Sequence, residues 1–203
     1  MTKRLGIIWV LCFFMINKTL QAQGISTSDK LSPTSSFAIK SNLLYLATTS
    51  INLGGEFKVS PQYTLDLSIN YNPWSFSNNK KFKHILIQPE LRYWLESPYS
   101  KHFLGFHTLY AHYNVGGVKL PFGIFPSLRN NRYQGNLYGA GVAYGYQWHL
   151  TKQWNLETSI GLGYVYMDYN RYSCQTCGDL IESRHSNYFG VTKAGISIIY
   201  LLK

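Results

Sequence analysis

The most motif-like feature of the sequence is a pair of cysteines, Cys174 and Cys177, separated by two residues. Such a pair can act as a redox centre when its first cysteine starts a helix in a βαβ unit, but the surrounding sequence predicts no such unit. A zinc site would need two further ligands, and His185 is the one nearby candidate in the sequence. We therefore expect a local loop disulfide, with no metal and no other cofactor.

Histidine could also carry chemistry, and two of the six histidines, His107 and His112, lie on a predicted strand. A hydrolase acting on lipids of the outer leaflet would need a nucleophilic hydroxyl, a histidine base and an orienting polar group close together. The chain contains no G-x-S-x-G motif. The sequence therefore predicts no enzymatic activity, and an outer-leaflet lipid-modifying hydrolase remains the alternative.

Eight charged side chains, four of each sign, are expected to share the inner face of predicted strands: Lys40, Glu56, Lys58, Asp66, Glu90, Arg92, Glu157 and Lys193. An eight-stranded barrel is just wide enough for side chains to fill it. Charges in so narrow a space must pair, because an unpaired buried charge is very costly. These residues therefore predict an interior charge network that plugs the barrel and does not conduct solutes.

The strands that would position these charges are visible as an alternation with a period of two residues. In the segment 62–72, apolar Leu65, Leu67 and Ile69 alternate with polar side chains. Residues 103–114 are aromatic on both faces, so their sidedness is not assigned. The eight predicted strands are 37–48, 51–59, 62–72, 85–95, 103–114, 134–149, 154–167 and 188–202.

Strand length and the polar face favour a membrane barrel. Soluble strands average five or six residues, whereas about ten tilted residues cross the hydrocarbon of a bilayer. The polar face consists of Asn, Ser, Thr, Gly and paired charges. We predict an all-β fold, an eight-stranded antiparallel up-and-down transmembrane β-barrel with apolar side chains outside. A soluble periplasmic ligand-binding barrel, with its apolar face inside, is the alternative.

The predicted connections also follow the outer-membrane arrangement. Alternate connections are long, at residues 73–83, 115–132 and 169–187, whereas those on the opposite side are short. An even number of strands then brings both termini to the short-turn, periplasmic side. Tyrosines and tryptophans near the strand ends, such as Tyr63 and Trp154, are typical of interfacial girdles.

Basic residues exceed acidic residues by 19 to 9, and several of them fall in two of the long loops. Cations outside an outer membrane can bind lipopolysaccharide phosphates, so outer-membrane lipid and lipopolysaccharide are the expected partners. Export argues against a nucleic-acid partner despite the basic composition. The cationic outer-loop residues are Lys80, Lys81, Lys83, Lys119, Arg129 and Arg132.

The first segment predicts export. Residues 1–22 combine a basic start, a twelve-residue apolar run and a short polar exit, as in a signal peptide cleaved near Ala22. Residues 23–35 are rich in Ser and Thr and are expected to form a flexible leader. Residues 36–203 form the predicted barrel domain, and the expected location is the cell outer membrane.

Several short motifs between residues 37 and 203 resemble the domain-of-unknown-function family 3575. They include Gln88-Pro89-Glu90-Leu91-Arg92-Tyr93-Trp94-Leu95, Tyr113-Asn114-Val115-Gly116-Gly117 and Trp154-Asn155-Leu156-Glu157. The resemblance implies an exported outer-membrane β-barrel of Bacteroidetes-type bacteria and supplies no catalytic activity. It also makes contact with surface or fimbria-type proteins conceivable. The expected function is that of an integral outer-membrane protein with a structural or interaction role, not an open channel.

Overall fold

A computed structural model describes residues 35–75, 81–117, 126–173 and 178–202. Eight antiparallel strands follow one another around a closed barrel in sequence order, and β8 pairs with β1 to close the ring. The predicted eight-stranded, up-and-down, all-β fold is therefore confirmed. The strands are β1 (Phe37–Asn42), β2 (Ile51–Lys58), β3 (Tyr63–Asn72), β4 (Lys81–Trp94), β5 (Lys101–Gly116), β6 (Arg132–His149), β7 (Trp154–Tyr172) and β8 (Leu180–Leu202).

The two ends of the barrel differ in their connections. Strands β2–β3, β4–β5 and β6–β7 are joined by short connections at one end, where β1 begins and β8 finishes; we call this the turn end. The longer connections are at the opposite end, called the loop end. A 3-10 turn, Pro126–Arg129, lies in the connection between β5 and β6. No helix among the described residues is long and apolar enough to cross a membrane.

Side chains alternate between the outside and the inside of the ring, as the period of two residues dictates. On β3, Leu67 is 41% exposed, whereas the neighbouring Asp66 is fully buried. The same alternation assigns the sidedness of β5, which the sequence left open. Phe103, His107 and Leu109 point inward there, and Phe106 points outward with 56% exposure.

The first strand is shorter than predicted. Residues 37–48 were expected to be one strand, but β1 ends at Asn42 and a five-residue helix, α1 (Leu43–Ala47), follows it. The Asn42 side chain accepts a hydrogen bond from the Leu44 amide and so caps the helix. The helical residues lack β-branched side chains and do not alternate in polarity, which removes the reason for a strand.

The last connection is much shorter than predicted. Residues 169–187 were expected to be a loop, but β7 continues to Tyr172 and β8 starts at Leu180. The hydrophobic alternation fades there because polar side chains occupy both faces, although backbone pairing persists. Inside this hairpin the register shifts between Gly161 and Leu162, which leaves Thr192 of β8 as the extra residue of a β-bulge.

Candidate functional site

Arg92 of β4 is the centre of a charge network inside the turn-end half of the barrel. Its guanidinium contacts four carboxylates, one each from Glu56, Asp66, Glu90 and Glu157, at nitrogen–oxygen distances of 2.7–2.8 Å. Arg92 is fully buried, and the four carboxylates are at most 1% exposed. The planar guanidinium suits this role because its five N–H groups point in fixed directions.

Two lysines complete the network. Lys40 Nζ lies 2.9 Å from Asp66 and 3.3 Å from Glu56, and Lys193 Nζ lies 2.8 Å from Glu90. Lys40 and Lys193 are 6% and 9% exposed. Seven of the eight charges that the alternation assigns to the interior therefore meet in one cluster, contributed by β1, β2, β3, β4, β7 and β8.

Lys58 is the exception, and its assignment to the interior was wrong. It is the last residue of β2 and is exposed, because the strand ends at the rim where the chain turns. The interior cluster therefore holds three cations and four carboxylates rather than four of each. Loss of any one cation would increase the excess of buried negative charge, which is strongly destabilising.

Three aromatic side chains close the turn end below the network. Trp94, Tyr99 and Phe103 are fully buried, and the Trp94 and Phe103 ring centroids are 4.9 Å apart. Trp94 Nε1 donates to Thr64 Oγ1 at 2.9 Å, and the Arg92 guanidinium lies 4.3 Å from the Phe103 ring centroid. Trp94 lies on the predicted inner face, but the sequence pattern predicts no role for these three residues.

Tyr99 reaches this position from a turn. Its φ of 64° turns the connection between β4 and β5 back into the barrel, where Tyr99 packs with Ala38, Ile199 and Leu201. The Tyr99 hydroxyl donates to the Glu56 carbonyl oxygen at 3.1 Å. Burial raises the pKa of this phenol well above its usual value, so the hydroxyl remains a donor.

A second polar constellation extends from the network toward the loop end. His107 of β5 is fully buried, its Nε2 lies 2.8 Å from Thr192 Oγ1, and its Nδ1 lies 3.6 Å from Glu90 Oε2. We call Glu90, His107 and Thr192 the relay. Their order, carboxylate to imidazole to hydroxyl, is that of the orienting group, the base and the nucleophile of a catalytic triad, but 3.6 Å is too long for a hydrogen bond between Glu90 and His107.

Glycines on three consecutive strands make room for the relay. A Cβ atom at Gly105 of β5 would lie 2.7 Å from the Glu90 carboxyl carbon. A Cβ at Gly141 of β6 would lie 2.9 Å from both His107 Nε2 and Thr192 Oγ1, and one at Gly161 of β7 would lie 2.9 Å from His107 Cε1. Glycine is therefore needed at these inward positions because a larger residue would crowd the relay side chains.

Above the relay the interior becomes apolar, which differs from the uniformly polar lining that the sequence predicted. A cavity of about 370 Å³, called here the loop-end chamber, is lined mainly by apolar side chains of β4–β8 and reaches Thr192. Part of this lining could not be predicted, because the sequence did not show which side chains of β5 point inward. In the structure, Leu109 and Ala111 do so. Leu86, Leu137, Val165 and Met167 supply most of the remainder.

Four of the six predicted cationic loop residues are described, and all four are at the loop end, three of them on strands. Lys81 and Lys83 lie at the start of β4. Arg132 is the first residue of β6, and its guanidinium lies 4.3 Å from the Tyr172 ring centroid. Arg129 is exposed in the 3-10 turn. Lys80 and Lys119 lie outside the described residues.

The predicted disulfide partners Cys174 and Cys177 also lie outside the described residues, as do the predicted signal peptide and the leader up to residue 34. Ser35 is described, and its buried hydroxyl contacts the carbonyl oxygens of Phe37 and Leu202. Within the described part of the chain, no group of three or more His, Cys, Asp or Glu side chains is arranged to hold a metal ion.

Comparison with known proteins yields one family. Curated proteins and solved structures gave no match. The model of the family described as "Protein of unknown function (DUF3575)" matches residues 8–202, which is nearly the whole chain. The chain therefore belongs to the DUF3575 family.

Proposed function

We propose that this protein is an integral β-barrel of the outer membrane, sealed along its axis, with a structural or interaction role at the cell surface. The observation that carries the proposal is a continuous apolar outer face around an interior that is charged and closed in its turn-end half. The predicted export signal at residues 1–22 supports the same location.

The outer face is unusual for a protein surrounded by water. Outward side chains on different strands are strongly exposed, including Leu53 at 61%, Phe106 at 56%, Val142 at 64% and Leu162 at 50%. Soluble monomers rarely expose contiguous apolar patches of more than a few hundred Å². A soluble ligand-binding barrel would carry this face inside, so the outward apolar face favours lipid over water as its surroundings.

Aromatic side chains form two outward bands whose spacing suits a bilayer. At the turn end, Tyr63 pairs with Tyr93 and Trp154 pairs with Tyr200 at centroid distances of 5.2 and 4.9 Å. Tyr71, eight residues after Tyr63, is at the loop end of the same strand. With a rise of ~3.3 Å per residue and a tilt of ~40°, the bands are about 20 Å apart along the axis. Aromatic girdles of membrane barrels flank an apolar zone of comparable height.

The sealed interior argues against an open channel. The Arg92 network fills the turn-end half of the lumen, and Trp94, Tyr99 and Phe103 close it below. A path for ions would require these buried pairs to separate, which costs several kcal/mol. We therefore assign the structural or interaction role to the outer surface of the barrel and its loop end.

The loop end offers that surface. Lys83 and Arg129 are exposed there, and Lys81 and Arg132 are nearby in the same strands and loops. Their cationic groups suit the phosphates of lipopolysaccharide, and surface or fimbria-type proteins are the further candidates for partners.

Fractionation of cells that produce the full chain tests this proposal. We expect recovery in the outer-membrane fraction, a folded band on unheated gels that shifts on boiling, and no steady large conductance in planar bilayers. Recovery in the soluble periplasmic fraction would refute the membrane location, and steady large conductance would refute the sealed lumen.

The relay favours a second candidate, the outer-leaflet lipid-modifying hydrolase. In this candidate the Thr192 hydroxyl attacks an ester carbonyl carbon while His107 Nε2 takes its proton. The bond to the alcohol breaks, the alcohol leaves with that proton, and water then hydrolyses the acyl-threonine ester to release a carboxylic acid. Glu90 would orient the imidazole only if its carboxylate, which is 3.6 Å from Nδ1 and pairs with Arg92 and Lys193, moved into hydrogen-bond distance.

Turnover of a p-nitrophenyl ester by the folded protein distinguishes the two candidates. If the hydrolase candidate is correct, Thr192→Val loses at least about a hundredfold in kcat whereas Thr192→Ser retains turnover. Absence of turnover in the folded wild-type protein, or equal turnover in Thr192→Val, excludes the hydrolase and leaves the structural role.

A further inference from the structure

The wall of the barrel is incomplete on one side of its loop-end half. Strand β1 has 6 residues and ends at Asn42, which pairs with Ser197, whereas β8 has 23 residues and starts at Leu180. Among the described residues, β8 therefore has no strand partner on its β1 side from Leu180 to Ile196. The Asn42 side chain bonds the Ala194 carbonyl and the Ile196 amide, so the opening starts just above these groups.

A second cavity occupies this opening. Its volume is about 440 Å³, and it is lined by Leu44 and Tyr45 of α1, by Phe82 and His84 of β4, and by Thr192 and Ala194 of β8. We call it the side pocket. His84, Val191 and Thr192 line both cavities, so the side pocket and the loop-end chamber adjoin at these three side chains.

We propose that the loop-end chamber binds a single acyl chain of a membrane amphiphile, which reaches it through the side pocket. The chamber is apolar over most of its wall, and its volume lies near the lower end of the ~300–1,000 Å³ range of small-molecule sites. One chain satisfies that volume and polarity. This inference rests on the membrane location proposed above, because the opening then faces the lipid of the outer leaflet.

The junction of the two cavities fixes where the polar part of the amphiphile lies. A chain in the chamber whose headgroup stays in the side pocket must pass between His84 and Thr192. The Thr192 hydroxyl and the His84 imidazole can bond an ester or carboxyl oxygen at that point, whereas the Leu109, Val165 and Met167 side chains contact only hydrocarbon. The site therefore recognises an acyl chain together with the oxygen atoms at its head.

Photocrosslinking of the full chain in detergent micelles tests the proposal. Two probes are used, a diazirine-bearing palmitic acid and a palmitoyl lysophosphatidylcholine with a diazirine in its chain, and the adducts are mapped by mass spectrometry. We expect adducts on chamber residues, with Met167 and Leu137 among them, competed by the unlabelled amphiphile. Labelling by palmitic acid alone assigns a free fatty acid, and labelling by the lysophospholipid assigns a lipid chain.

Two alanines on neighbouring strands provide a matched control. Ala111 points into the chamber and is 5% exposed, whereas Ala140 points outward. Ala111→Phe should reduce chamber labelling at least tenfold, and Ala140→Phe should leave it unchanged.

Adducts confined to outward residues of the wild-type protein, or equal chamber labelling in both variants, would overturn the proposal. The wild-type map decides the matter even if Ala111→Phe fails to fold. Insertion into vesicles, measured separately, reports on the membrane location, so failure of one proposal is distinguishable from failure of the other.

Discussion

The Nε2 atom of His107 lies 2.8 Å from the hydroxyl oxygen of Thr192, although the two residues are 85 positions apart in the chain. The contact depends on the β-bulge of β8, which aims Thr192 inward, and on Gly141, which leaves space beside both atoms. It marks the boundary between two halves of the lumen. Below it the interior is charged and sealed, and above it the interior is apolar and open to one side.

The fit of Gly141 against the relay predicts a cost for any side chain there. In Gly141→Ala the new methyl group would clash with the Leu162 carbonyl oxygen and would lie 2.9 Å from His107 Nε2. We expect a loss of about 1–3 kcal/mol in the free energy of unfolding, measured by urea titration in vesicles. Gly55→Ala is the control, since its nearest contact is an outward Phe37 ring carbon at 3.1 Å. Equal losses in both variants would contradict the close packing of the inner face at Gly141.

The interior network predicts opposite outcomes for two lysines near the same end of the barrel. Lys40→Met leaves Glu56, Asp66 and Glu157 short of a buried cation, so we expect a loss of about 3–5 kcal/mol in unfolding free energy. Lys58→Met removes an exposed cation and should change the stability by less than about 0.5 kcal/mol. Comparable losses in the two variants would show that the network does not stabilise the barrel.

The aromatic seal makes a similar prediction for two tyrosines of the turn end. Tyr99 is fully buried against Ala38, Ile199 and Leu201, whereas Tyr63 is 42% exposed on the outer face. Tyr99→Ala opens a cavity and should cost about 3–5 kcal/mol, as for other buried aromatic residues. Tyr63→Ala should cost distinctly less. A Tyr99→Ala barrel as stable as the Tyr63→Ala barrel would refute the seal.

Much of the fold follows from local pattern. The alternation on β3 and β4 assigns Asp66, Glu90 and Arg92 to the interior because successive strand residues face opposite sides, and the structure agrees. Two departures arise where the pattern stops. The alternation places Lys58 inside, but β2 ends at this residue and its side chain lies at the rim. The residues after Asn42 do not alternate in polarity, and Asn42 caps a helix there.

The relay and the chamber were out of reach of the same reasoning. A β-bulge reverses which residues of a strand point inward, and no change in the hydrophobic pattern marks its position. The spacing of residues in the sequence therefore could not show that Thr192 points inward toward His107. The inward Leu109 and Ala111 were masked because β5 is apolar or aromatic on both faces. Two features of the sequence point to this site. Glycines recur on one face of β6 and β7, and His107 lies an even number of residues from the inward Phe103, so an imidazole could occupy the space that the glycines leave.

Arginine substitution on the outer face tests the membrane location most directly. Val142 is 64% exposed at the middle of the outer face, and Leu150 is 58% exposed in the turn after β6. The measurement is the free energy of unfolding from phospholipid vesicles for Val142→Arg and Leu150→Arg. A membrane location predicts a loss of about 2–4 kcal/mol for Val142→Arg and about 0–1 kcal/mol for Leu150→Arg. Equal, negligible losses for both variants would contradict it, because an arginine in water costs nothing at either exposed position.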